Sequence, residues 1–162
     1  MPLIKDTLAQ QIELSLKQRP QAAAAAAADW ARAYVAYASS ALSAAGSLPV
    51  TAPANQGALL SAFTSGFTAQ APPAAAASLA QGVILFWSAM VWTGPAAVGV
   101  TLSPGNASLA PSLAAIFADT SEQSEGDKAR KFADAFDVGA KLVIVQDTPL
   151  VQPAPPIIGP IS

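Results

Sequence analysis

The sequence predicts a mainly α protein: a small helical bundle with a minor two-stranded β element and an extended C-terminal tail. Three observations carry this. Apolar side chains recur at three- and four-residue spacing in six separate stretches, the period of a helix with one buried face. Only two short runs, Val98 to Leu102 and Lys141 to Asp147, have the alternating or β-branched character of a strand. The last fifteen residues, TPLVQPAPPIIGPIS, contain five prolines, which forbid a helix and rule out a central strand. The organisation that follows is a helical domain with a short ribbon over 1–147 and an extended, proline-rich hydrophobic tail over 148–162.

The first helix spans Pro2 to Gln18. Ile4, Leu8, Ile12 and Leu16 recur every fourth residue, with Lys5, Asp6, Glu13 and Lys17 elsewhere on the surface. Pro2 suits a first turn, and Pro20 ends or kinks the helix. A second helix is expected from Gln21 to Ala45. The alanine run 22–28 gives it the strongest propensity available, Trp30, Tyr34, Tyr37, Ala41 and Leu42 follow at helical spacing, and Gly46 stops it. The alanine run has two readings, propensity alone or a close-packed interface. Ser47 to Gly57 is a loop by its prolines, Asn and Gly.

Ala58 to Thr68 is a short helix with Leu59, Leu60, Phe63 and Phe67 on one side. Ala74 to Trp92 is the most hydrophobic helix, apolar nearly all round and therefore central to the core. A short extended run at Val98 to Leu102 ends at Pro104-Gly105. Ala107 to Ala118 is a helix with Asn106 or Ser108 as cap and Pro111 in its first turn. The last helix runs from Glu122 or Glu125 to Val138, with Ala129, Phe132, Ala133 and Phe136 on its apolar face and Gly139 closing it. Lys141 to Asp147 is expected to pair with Val98 to Leu102 as the two-stranded ribbon.

Charge is distributed very unevenly. Charged residues make up 11% of the chain, and between Arg32 and Asp119 there is none, whereas a soluble domain carries about a quarter, spread over its surface. A stretch of this kind is covered by other protein or meets lipid. The lipid alternative is a membrane-associated pore or lysis protein inserting through residues 74–92, which are long enough to cross a bilayer but lack flanking Lys or Arg. The first twenty residues mix acidic and basic side chains without an apolar core, unlike a secretory signal, which predicts synthesis in the cytoplasm.

Several classes of chemistry are disfavoured. The chain has no Cys and no His, so thiolate chemistry, a Ser-His-Asp triad and a zinc site with its usual ligands are missing. The carboxylates Asp134 and Asp137, or Glu122, Glu125 and Asp127, are interleaved with Lys128, Arg130 and Lys131 and fit a solvated helix face better than a cation site. Net charge is −2 with no large basic cluster, which argues against nucleic-acid contact through a basic patch. No catalytic, cofactor-binding or metal residue is assigned, no cofactor is implied, and an enzyme is not expected.

The Ala-rich segment AYVAYASSALSAAG, the apolar GVILFWSAMVW and the following TGPAAVGVTLSPGNASLAPSLAAIFAD together resemble, loosely over residues 21–147, small virion proteins of tailed bacteriophages that build the neck, tail or head–tail joint. The resemblance implies a ring or sleeve of identical subunits in a virion assembled in the host cytoplasm, contacting other virion structural proteins, with no catalytic residues to carry over. Within that expectation the partner-binding residues are the aliphatics of the tail: Leu150, Val151, Ile157, Ile158 and Ile161. The tail either lies on its own domain or docks on a neighbouring subunit. In the docking case, removing residues 149–162 leaves helix content nearly unchanged and weakens assembly.

Overall fold

Helices come in pairs along this chain, and each pair is followed by strands of one sheet. The computed structural model describes residues 3–18, 22–105, 108–151 and 154–162. Within them α1 (Lys5–Gln18) and α2 (Ala23–Ala38) precede β1 (Leu48–Pro49). Next, α3 (Gln56–Thr68) and α4 (Pro72–Ser88) precede β2 (Val91–Thr93) and β3 (Ala97–Ser103). Last, α5 (Leu109–Ala118) and α6 (Glu125–Ala140) precede β4 (Ile144–Pro149) and β5 (Ile157–Pro160). Every helix packs on the next in sequence and α6 returns to α1, so the six close into a ring. The strands form a five-stranded antiparallel sheet in the order β1-β2-β3-β4-β5.

The helical prediction holds, with corrected boundaries, and the β part is larger than two strands. The expected ribbon is present: Val98 pairs with Thr148 and Val100 with Gln146. Three further strands flank it. Residues 74–92 do not form one helix, because α4 ends at Ser88 and Val91–Thr93 is extended. The reason is packing. Extended backbone turns Trp92 inward, where its ring stacks on Trp87 at 6.0 Å and 7° between planes, while Val91 and Thr93 face out. Among the described residues no helix is long and apolar enough to cross a membrane.

The second helix ends at Ala38 rather than at Ala45. Residues 39–47 instead form turns, and Gly46 takes the left-handed conformation (φ 79°) in one of them. The last helix continues through Gly139 to Ala140, and its start is fixed by Ser124, whose Oγ accepts from the Asp127 N–H at 3.1 Å. Ser108 occupies the cap position of α5 without a side-chain cap bond, and Pro111 sits in the first turn as expected. Ile4 is exposed rather than on the buried face. The roles given to Pro2, Pro20 and Asn106 fall on positions outside the described residues.

The core is aromatic and concentrated. Trp30, Tyr34, Tyr37, Phe63, Phe86, Trp87, Trp92, Phe132 and Phe136 are all buried. Tyr34 lies edge-on to Phe86 and Phe136 at 5.6 and 5.3 Å between centroids, the arrangement that ring quadrupoles favour. Elsewhere alanine allows very close helix approach. Helices α3 and α4 approach closely: a Cβ on Gly82 would fall 2.5 Å from the Ala62 Cβ, and one on Gly66 would clash with the Leu79 side chain.

Gly82→Val is therefore expected to lower stability by about 2 kcal/mol or more, since the Ala62 Cβ is held by helix backbone and cannot move aside cheaply. Equilibrium unfolding in urea checks this; a variant as stable as the parent would contradict the close crossing.

Candidate functional site

Two groups of side chains stand out, one inside the molecule and one outside. The inner group crosses the helical ring. The Trp87 Nε1–H donates to Tyr34 Oη at 2.8 Å, the Tyr37 hydroxyl donates to Asp137 Oδ1 at 2.8 Å, and Lys141 Nζ donates to Asp137 Oδ2 at 2.7 Å. These residues come from α2, α4, α6 and the turn after α6. Burial pushes both phenols well above the ordinary tyrosine range. For Tyr37, the adjacent Tyr34 and the Asp137 carboxylate add to the effect. Every group faces a partner rather than a cavity, so the arrangement ties helices together and has no free nucleophile or base.

Two of the other carboxylates considered from sequence are paired. Asp134 pairs with Lys5 at 2.6 Å, and Asp127 pairs with Arg130 at 2.7 Å. Asp119 is held well below the usual carboxylate range by Lys131, with Ser121 and Gln123 adding to the effect. Among the described residues no group of three or more carboxylates could hold a metal ion. Asp147 differs from these. It is fully buried on β4 with neither oxygen hydrogen-bonded, and it lies over Gly99, where a Cβ would come within 2.7 Å of Oδ1. An unpaired buried carboxylate costs stability.

The outer group is the face of the sheet turned away from the helices. Side chains alternate across a strand, and the register places Leu48, Thr93, Val98 and Thr148 in one cross-strand row and Val91, Val100, Gln146 and Ile158 in the next. Their neighbours along each strand, Trp92, Gly99, Val145 and Asp147, are buried on the opposite face. The outer aliphatics remain open to solvent: Val100 is 55% exposed and Ile158 59%. No charged side chain lies on this face, since Asp147 is the only charged residue within the five strands. Contiguous exposed apolar surface of this kind marks an interaction site.

The tail residues divide between the two faces and the core. Ile158 belongs to the outer face, while Ile157, opposite Asp147, lies on the inner side at the sheet edge and is half exposed. Leu150 and Val151 protrude beyond β4, with Val151 81% exposed. Ile161 is corrected: it is buried in its own domain, and its N–H donates to the Val143 carbonyl at 3.1 Å. Ser162 exchanges two backbone hydrogen bonds with Leu42. The end of the tail thus lies on its own domain, and cutting at residue 149 would remove β5 and uncover the core. Leu48, Val91, Val98, Val100 and Ile144 were not identified as surface contacts from sequence. The Val98-Val100-Leu102 alternation was visible, but which side faced the helices was not.

An aromatic-walled groove of about 350 Å³ opens between helices, lined by Leu16, Trp30, Phe67, Phe117 and Phe132 among others. Apart from Ser15 its lining is aliphatic and aromatic. The architecture is a closed ring of helices bearing a sheet with one open face. Comparison with known protein families, with characterised proteins and with solved structures finds no match.

The chain's two tyrosines both sit in the buried group. In the unfolded chain they ionise near pH 10.0; their folded values are raised, so the stability they contribute is complete below that pH and is lost above it. Stability is expected to fall above pH 10 by up to about 1.4 kcal/mol per pH unit for each tyrosine, and tyrosinate absorbance at 295 nm should rise only as the chain unfolds. Tyrosinate forming near pH 10 with near-ultraviolet circular dichroism intact would contradict this.

Proposed function

We propose that the chain is a non-enzymatic structural subunit of a large assembly. Its class is the tailed-phage virion component of neck, head–tail joint or tail that its sequence resembles, and it acts by packing against other protein through the outer face of its sheet. The observation that carries this reading is that face: a row of exposed aliphatics with no charge, on a sheet whose other side packs on the helical core except at its β5 edge. Free in water, such a surface promotes association, and charge is the usual means by which soluble domains prevent it.

The distribution of the remaining charges supports the same reading. Ion pairs cluster on α1, α2, α6 and the α5–α6 connection, which leaves the helical side solvated and the sheet side bare. Obligate contact surfaces are poor in charge in the same way. Leu150 and Val151 extend the apolar surface beyond β4 and suit contact with a neighbouring virion protein.

Replacing Val98 and Val100 together by Lys should leave helix content unchanged by circular dichroism, because neither side chain touches the core, and should lower the mass measured by light scattering to that of one chain. An assembly of unchanged mass in the double variant would overturn the reading.

A further inference from the structure

We infer that the outer face of the sheet is covered by the same face of a second copy, so that two sheets stack into a sandwich about a twofold axis. The inference rests on the assembly reading above and names its first contact. Three features select a second copy and this mode of packing.

The first is chemical self-complementarity. The polar side chains on the face are Thr93, Thr148 and Gln146, with Ser103 opposite Ile144 at its end. Hydroxyls and amides each donate and accept hydrogen bonds, so a residue meeting its own symmetry mate finds a partner. A Lys or Asp there would instead meet its own charge. A twofold contact is isologous, with the same patch on both sides, and this patch satisfies that condition.

The second is that the edges are closed to strand addition. β1 has two residues and ends at Pro49; β5 has four, includes Pro160 and follows Pro155 and Pro156. Proline offers no N–H to an added strand, and short proline-bearing edges are how sheets avoid edge-to-edge growth. Extension of the sheet sideways into a neighbour is blocked, which leaves the face.

The third is area. At about 3.3 Å per residue and about 4.8 Å between strands, with side-chain relief, the strands present on the order of 500 Å² of accessible face. Two copies then bury about 1,000 Å² in total, the lower bound of a specific interface. A contact of that size holds at high concentration and separates on dilution; in a larger assembly further contacts would reinforce it. Because β3 is the middle strand of five, Val100 lies near the centre of the face, close to where the twofold axis must pass.

The chain has no cysteine, so single cysteines give a clean test. Val100→Cys should cross-link to a covalent dimer with a short bis-maleimide at high protein concentration. Ser121→Cys, exposed on the helical side, should not. Monomaleimide labelling of Val100→Cys should slow at least tenfold between dilute and concentrated protein, with Ser121→Cys unchanged. Should the concentrated protein have the mass of a multimer while Val100→Cys stays fully reactive and uncross-linked, the sandwich is wrong but assembly through another surface stands. Should the protein remain one chain at all concentrations with Val100→Cys reactive throughout, the sandwich and self-association through this face both fall. Dimer formation with Val100→Cys protected and the Ser121→Cys control reactive supports the inference.

Discussion

A sheet has two faces, and in this molecule the helices cover only one. The consequence follows from a shortage of large side chains. Eleven aromatics are available in the whole sequence, nine of them are buried, and the other two, Phe67 and Phe117, pack against the same core. Alanine supplies half of the remaining buried apolar residues, and an alanine contact gains little area. The ring of six helices holds because the aromatics converge inside it and because Gly66 and Gly82 let α3 and α4 approach closely. Nothing comparable is left for the outer face of the sheet, which presents mainly Val, Leu, Ile and Thr, with Gln146, to its surroundings.

The buried polar group makes the inside specific. Tyr37, Asp137 and Lys141 fix α2 against α6, and the Trp87 indole bonded to Tyr34 fixes α4 against α2. A buried carboxylate is costly unless its acceptors are filled, and Asp137 has both oxygens filled. Asp147 has neither, although it occupies the centre of the antiparallel ladder. Gly99 opposite leaves room for its carboxylate.

Much of the helical frame was legible in the sequence, because apolar period and proline and glycine punctuation are local signals. The two central strands were legible for the same reason. The rest depended on tertiary contact. Val91–Thr93 continues an apolar helical run, and only the Trp87–Trp92 stack decides that it extends. Leu48–Pro49 and Ile157–Pro160 are too short and proline-rich to announce themselves, and become strands because β2 and β4 offer open edges. The candidate site was visible as an absence of charge between residues 33 and 118, but not as a surface. Which of two alternating sets faces out is set by the helices, and the tail aliphatic Ile161, indistinguishable by composition from Ile158, goes inside.

The central claim is that the chain's uncharged surface is a contact surface between proteins. The mass of the native species, followed by sedimentation equilibrium from about 1 µM to several hundred µM, tests it most directly, since a contact of this area is expected to dissociate within that range. The account predicts even multiples of the 16.3 kDa chain at the upper end, falling toward single chains on dilution. A mass of one chain across the whole range would contradict it.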